Sequence, residues 1–356
     1  MPRTPSVERV HDGLWSIPVT IPDNPLGYTL VYAFETASGP VLVDTGWDAD
    51  ASWRALGSGL AEAGLAVGDV YGVLVTHIHP DHHGLSERVR AESGAWVAMH
   101  PEDAWLVSRR RDDGDSWVVQ SAAVMLASGA GEADLAEMPD PEALAASPPV
   151  LPTPPTRLFA DGDIVDVPGW TVRAIWTPGH SPGHTCFMVE GPSLLLSGDH
   201  VLPKITPHIG LYHEESEWDP LGDYLSSLAR LHSETVSGVL PAHLWRFDDL
   251  PPRLREITEH HEERLAAIEA RLATGPATLW DITAAMPWNR AWEDIGGFMK
   301  RAALSEALAH VRYLERRGRV EKAAGEWPAT YRLPRPAPPA APAPAPPHPA
   351  PTPHHP

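Results

Sequence analysis

Six residues constrain this chain more than any other stretch: His77-Ile-His79-Pro-Asp81-His82. Three imidazoles and one carboxylate follow directly on the apolar run Val73-Leu-Val-Thr76, the pattern of a β-strand that stops at its sheet edge and hands over to a loop. A fold carrying this stretch needs a strand end from which several donors can turn toward one point. Imidazole nitrogen and carboxylate oxygen are the ligands that borderline divalent metals such as zinc accept. Packing gives no reason to crowd them, so the stretch reads as a metal-ligand motif.

A metal site needs ligands from separated segments, and three further donors fit. His184 follows Thr177-Pro-Gly-His-Ser-Pro-Gly183, Asp199 follows the apolar Leu194-Leu-Leu-Ser-Gly198, and His243 follows Val239-Leu-Pro-Ala242. Each ends a β-rich run, so strands sharing a sheet would project all these donors from one edge. Upstream, Leu14–Ile21, Tyr28–Phe34 and Pro40–Val43 read as strands, and residues 49–64 as an amphipathic helix stopping at Gly64. After the His-rich loop come a helix near Gly84–Glu92 and a strand at Trp96–Met99. Strands resume at Asp163–Val167, Thr171–Trp176, Thr185–Val189 and Ser193–Leu196, followed by a helix at about Pro220–Leu231 and a strand at Val236–Leu240. This order fits two mixed sheets stacked face to face with helices outside. Residues 101–156 break the rhythm and read as an insertion over the site, with helices at Pro101–Arg111 and Val118–Ala127. Its Trp105, Trp117, Met125 and Met138 serve either a substrate pocket or ordinary helix packing.

Beyond Pro251-Pro252 the composition changes. Arg253–Leu272, Leu279–Ala285 and Ala302–Arg317 read as amphipathic helices, and Val320 with Thr330–Leu333 as a short hairpin, which together make a winged-helix pattern. Residues 334–356 are nearly all Pro, Ala and His, cannot bury a core, and read as disordered. Charge divides along the same line. Residues 1–252 hold 13 Lys and Arg against 35 Asp and Glu, a net −22, whereas residues 253–356 carry a net +2. An acidic first domain repels phosphate backbones, so nucleic acid is not the expected partner. Arg312, Arg316, Arg317, Arg319 and Lys322 cluster near the end of the third helix, where a DNA-reading winged helix would place them. Interleaved Glu306, Glu315 and Glu321 favour a pocket wall or a homodimer contact instead. The single cysteine, Cys186, lies in an apolar run and excludes an internal disulfide framework. No apolar run approaches the roughly 20 residues of a membrane span, and Met1-Pro-Arg-Thr-Pro opens no signal peptide, so a cytoplasmic protein is expected.

The donor order His77-x-His79-x-Asp81-His82, His184, Asp199, His243, with the turn Val43-Asp44-Thr45-Gly46, resembles the metallo-β-lactamase superfamily over about residues 8–250. The resemblance implies an α+β fold class: an αββα sandwich with a two-metal site at its edge, here followed by a small winged-helix domain. It implies that His77, His79 and His184 hold one ion, that Asp81, His82 and His243 hold the second, and that Asp199 bridges them. Asp44 is expected either to accept a hydrogen bond from a ligating imidazole or to stabilise its own turn. The pattern does not use His83, His180 or His200 as ligands, and they are expected in supporting hydrogen bonds or turns. His208 and Tyr212 are the expected substrate contacts.

Asp199 stands where the antibiotic-degrading members carry cysteine, and His79 where flavodiiron reductases carry Glu, so the pattern is similar to the glyoxalase II and lactonase branches. One departure is Pro-Ala-His243-Leu in place of Gly-His-Gly. The implied cofactors are two divalent ions, zinc first, with iron or manganese as alternatives. The implied reaction is attack of a metal-bridging hydroxide on a thioester, ester or lactone of a small-molecule acyl substrate, with Asp81 orienting the hydroxide and shuttling its proton. Two other branches stand beside it: a winged-helix, metal-dependent endoribonuclease and a mononuclear-iron persulfide dioxygenase.

Overall fold

The computed structural model describes residues 4–113, 124–136, 153–211, 216–323, 325 and 327–335. Trp117, Met138, Tyr212 and the Pro/Ala/His tail beyond Arg335 lie outside the described residues.

The first sheet has the order β1 (Glu8–His11), β2 (Leu14–Thr20), β3 (Tyr28–Phe34), β4 (Val41–Val43), β5 (Gly72–Leu74), β6 (Trp96–Met99) and β7 (Arg157–Leu158). The first four strands pair antiparallel and the last four parallel. Parallel neighbours need crossovers. These are α1 (Asp50–Glu62) between β4 and β5, and α2 (Pro80–His83) with α3 (Ser86–Ser93) between β5 and β6. The insertion after β6 carries α4 (Pro101–Asp113) and α5 (Glu132–Ala136), and residues 124–127 are helical.

The second sheet is built from β8 (Ile164–Val165), β9 (Val172–Trp176), β10 (Thr185–Val189) and β11 (Leu194–Gly198), then α6 (Pro220–Leu231) and β12 (Gly238–Pro241), in the order β12-β11-β10-β9-β8. Only β11 and β12 run parallel in it. The expected strand at Asp163–Val167 is shorter, and β7 is too brief to show a period in the sequence.

Three apolar layers explain why the strands read as apolar runs rather than alternating ones. Phe34, Val43 and Leu74 of the first sheet meet Phe187, Leu196 and Leu240 of the second. The outer face of the first sheet packs Val31, Leu42 and Val73 on Leu56, Leu60 and Val89 of α1 and α3. The outer face of the second packs Ile175, Cys186 and Leu195 on α6 and on the C-terminal helices. The result is the αββα sandwich.

The C-terminal part comprises α7 (Leu250–Ala273), β13 (Ala277–Thr278), α8 (Leu279–Ala285), α9 (Gly297–Arg316), β14 (Glu321–Lys322) and β15 (Thr330–Arg332), the strands forming a sheet ordered β13-β15-β14. Pro251 and Pro252 do not separate α7 from what precedes; they sit in its first turn, where no backbone N–H is needed. A capping box starts α8, with Thr278 Oγ1 accepting from Asp281 N–H and the Asp281 carboxylate from Thr278 N–H. Leu254, Ile257 and Leu265 of α7 and Leu304 and Leu308 of α9 share one core with the second sheet. Met125 of the insertion is buried in it, whereas Trp105 is 55% exposed. No helix among the described residues is long and apolar enough to cross a membrane.

The shared core predicts shared unfolding. Ile257→Ala is expected to cost about 2–5 kcal/mol and to lower one cooperative calorimetric transition; two transitions with only one displaced would contradict this. A second expectation comes from His310 on α9, fully buried, with Nδ1–H donating to Glu306 O at 2.7 Å. Burial holds its pKa at about 4, against 6.5 for the free side chain. The unfolded chain therefore binds this proton first as pH falls, and stability is lost between about 6.5 and about 4. In urea titrations across that window His310→Gln should flatten the decline.

Candidate metal centre

The expected donors gather at one edge of the sandwich, beside the ends of its strands. The chain beyond β5 stays extended, with Val75 N–H donating to Ala98 O, and delivers His77. His79 is the N-cap of α2 and Pro80 occupies its first turn, so the short helix swings Asp81 and His82 back toward His77. Asp199 follows β11 directly. His243 follows β12, where Ala242 is fixed by N–H to Gly198 O and by its carbonyl to Leu30 N–H.

The ligand atoms form three overlapping groups, each with its atoms within 4.8 Å of one another: His77, His79 and His180; His77, His82 and Asp199; and Asp81, His82 and His243. His77 Nε2 and His79 Nδ1 face each other at 3.0 Å. Asp199 spans the groups. Its Oδ1 lies 3.5 Å from His82 Nε2 and 3.3 Å from His243 Nε2, and its Oδ2 lies 3.6 Å from His180 Nε2. Asp81 Oδ2 is 3.3 Å from His243 Nε2 and 3.7 Å from His82 Nε2.

His184 stands in the same cluster, its ring centroid 5.1 Å from that of His77, with Nε2 3.2 Å from Asp199 N and Nδ1 2.9 Å from Thr177 Oγ1. His180 joins His77 and His79 from the same loop, with Nδ1–H donating to His208 O at 2.8 Å and Nε2 turned inward. Gly179 makes this turn at φ +139°, where a Cβ would fall 2.4 Å from the Tyr224 side chain. The His208 ring meets Ser305 and Glu306 on α9, and its carbonyl accepts from His180. His83 is tied to Ser86 Oγ and Thr153 O, and buried His200 touches the cluster only through ring contacts with His184.

Residues 24–242 match the family model of the metallo-β-lactamase superfamily. The chain belongs to that superfamily. Lactamase-like protein adaB of Aspergillus niger is 28% identical over 284 residues, which span 78% of this chain and 70% of that one. Lactamase-like protein aptB of Emericella nidulans is 28% identical over 244 residues, 68% of this chain and 60% of its own length. A solved metallo-β-lactamase family protein of Thermus thermophilus superposes with a TM-score of 0.76 at 32% identity, over 91% of this chain and 100% of that one. That extent includes C-terminal helices as well as the sandwich. The superfamily consists typically of metal-dependent hydrolases that bind divalent metals, and the His/Asp groups of this member suit that role.

The supporting contacts decide which nitrogen each ring presents. Asp44 is buried in the left-handed region at φ +63° and accepts from Thr76 N–H at 2.8 Å, Thr76 Oγ1–H at 2.9 Å and His82 Nδ1–H at 2.8 Å. Because the Thr76 hydroxyl donates to Asp44, it accepts from His77 Nδ1–H at 3.0 Å. His243 Nδ1–H donates to Tyr28 O at 3.0 Å. The Nε2 atoms of His82, His180 and His243 and Oδ1 of Asp199 are thereby left buried without a hydrogen-bond partner. Such orphaned acceptors are costly unless a cation or a proton meets them.

The carboxylates among them raise the proton affinity of some rings and burial lowers that of others. Burial alone lowers the His243 pKa, but Asp199 and Asp81 raise it to about 10. Burial is likewise overcome at His82, which Asp199, Asp81 and Asp44 hold well above its ordinary value. His77 goes the other way, pushed well below by burial and by the neighbouring imidazoles.

Sequence reasoning missed Asp103. Fully buried at the start of α4, it accepts from Ile78 N–H at 2.8 Å, Ser181 Oγ–H at 2.8 Å and Gly183 N–H at 2.7 Å. It clamps the loop of His77 to the loop of His180. A lone Asp in a charged helical stretch carries no mark of this role. Asp103→Asn should weaken metal retention about 10–100-fold, read by competition with a chromophoric chelator, with helix content by circular dichroism unchanged.

Proposed function

We propose that this protein is a binuclear hydrolase that opens a thioester, ester or lactone of a small-molecule acyl substrate, with zinc as the first candidate metal. The observation that carries the reading is the meeting of two donor groups on the single carboxylate of Asp199: His77 and His79 with the loop that carries His180 and His184, and Asp81, His82 and His243. The partnerless buried Nε2 and Oδ1 atoms fit a pair of cations in number and chemistry. When bound, the ions would supply Lewis acidity for the substrate oxygen and acidify a water toward neutrality.

The chain's own residues supply the rest. Asp44, Thr76, Tyr28 O and His208 O hold the four rings in one tautomer each, so no reorientation is needed during reaction. Asp81 is 16% exposed, against 0–1% for His82 and His243, which puts its carboxylate on the open side of the cluster. There it can take the proton of the attacking water and return it to the leaving group. Cys186 takes no nucleophilic part: it is buried in the core, and burial pushes its thiol up to about 12. An aspartate rather than a cysteine at position 199 supports placement beside glyoxalase II and the lactonases, as does a donor set that would suit two ions rather than one.

The C-terminal helices and small sheet are read as a winged-helix-like unit that walls the site. Its arginines support that role over nucleic-acid binding, because they are already paired. Arg316 meets Glu217, Arg317 meets Asp219 at 3.0 Å, and Arg319 meets Glu269 at 2.6 Å.

Elemental analysis of the purified protein, paired with a panel of thioesters, lactones and short RNAs, tests the proposal. The expected outcome is two zinc ions per chain and turnover of at least one acyl substrate, lost with chelator and restored by zinc. His243→Ala should lower kcat/KM by at least about 10–100-fold. One iron per chain, or RNA cleavage alone, would overturn the assignment.

A further inference from the structure

The first sheet carries a second concave feature at the ends of its strands opposite the metal donors. A cleft of about 480 Å³ lies where β5, β6 and β7 begin. Its lining includes Tyr71 and Trp96 at the starts of β5 and β6, Arg157 of β7, and Arg90 in the last turn of α3. His77 follows the far end of β5, six residues of chain beyond Tyr71 and thus up to about 20 Å away. The volume falls in the range of small-molecule sites.

The cleft is built around one ring. Trp96 pairs with Gly72 across the β5–β6 ladder, and a Cβ on Gly72 would stand 2.1 Å from the indole, so glycine is what lets the ring lie against β5. The Arg157 guanidinium lies over the ring, 4.6 Å from its centroid, and Tyr71 meets it in a T-shaped contact at 5.8 Å. Trp96 is 9% exposed, and its buried Nε1–H has no hydrogen-bond partner among the described residues. An indole N–H is a donor only, and a buried one calls for an acceptor.

The charged groups limit what that acceptor can be. Arg157 gives Nη1 to Asp166 at 2.8 Å, and the Tyr71 hydroxyl donates to the same carboxylate at 3.0 Å. Among the described residues, Nε and Nη2 of Arg157 make no hydrogen bond, and its side chain is 45% exposed. Arg90 gives Nη2 to Glu87 at 2.6 Å and stays 31% exposed. The unspent groups are therefore donors, which suits an anion. With Asp69 also on the lining, two arginines face the three carboxylates of Asp69, Glu87 and Asp166, so the surroundings hold a single formal negative charge. A dianion such as phosphate is repelled there more than a monoanion. Val70 and Ala95 add apolar surface for an organic body.

We infer that this cleft is a second ligand site, separate from the metal centre, which takes a small organic monocarboxylate whose oxygens accept from Trp96 Nε1–H and from the Arg157 guanidinium. A charge-assisted pair to a planar guanidinium together with an indole donor is a strong recognition element for a carboxylate.

The test uses the full-length purified chain, isotope-labelled at the tryptophan indole nitrogens and titrated with phenylacetate and hexanoate. Phenylacetamide and inorganic phosphate are the controls. Trp96→Phe assigns the Trp96 indole resonance; should that variant fail to fold, the response of the resonance to Arg157→Gln assigns it. The expected result is saturable displacement of that resonance by at least one acid, with a Kd of about 1 mM or tighter. The amide should bind at least about 10-fold more weakly, and phosphate should leave the resonance in place. Arg157→Gln should weaken the acid by about 10–100-fold. A carboxylate drawn only to the metal centre would bind without moving the Trp96 resonance, and that result would overturn the site. So would no displacement up to about 10 mM acid, equal affinity for the amide or for phosphate, or unchanged binding in Arg157→Gln.

Discussion

A ring nitrogen aimed into a buried site is useful only if the other nitrogen of the same ring has a fixed partner. Four imidazoles of this protein meet that condition with four different groups: a threonine hydroxyl for His77, a carboxylate for His82, and backbone carbonyls for His180 and His243. The partners come from β3, from the turn after β4, from just past β5 and from the segment after Asp199, so the four rings are set together only when both sheets are in place. Asp44 shows the cost. A non-glycine residue at φ +63° is strained by about 1–3 kcal/mol, and three hydrogen bonds to its carboxylate offset this. Asp is one of the few residues that tolerate the left-handed region and also supply that carboxylate.

Much of the sandwich was legible because its strands are apolar runs cut by Pro and Gly, and because each donor follows such a run. His77, Asp199 and His243 lie within three residues of a strand end, where the direction of the chain is nearly determined. The loop Thr177–His184 was legible only in part. It holds two histidines four residues apart, and both rings stand close to His77, with centroids 4.8 Å away for His180 and 5.1 Å for His184. The contact that brings His180 in is tertiary: Tyr224 shapes the turn at Gly179.

The break in composition at Pro251-Pro252 was real, but what it meant for packing could not be seen in sequence. Prolines in a first helical turn start α7 rather than end a domain, and the apolar stripe of α7 faces the second sheet. Amphipathicity tells which face is buried, not what it is buried against. Asp103 and Glu306 escaped for a related reason: each looks like a solvated helix charge until the fold brings backbone N–H groups or an arginine to it.

The two halves of the centre differ electrostatically, and the distribution of carboxylates explains how. Asp81 and Asp199 Oδ1 both face His82 and His243, whereas Asp199 Oδ2 lies 3.6 Å from His180. Protons therefore favour the second half, where His243 rises to about 10, while burial keeps His77 and His180 below the ordinary histidine range. The second half is thus set by charge close at hand, and the first by burial among neighbouring imidazoles.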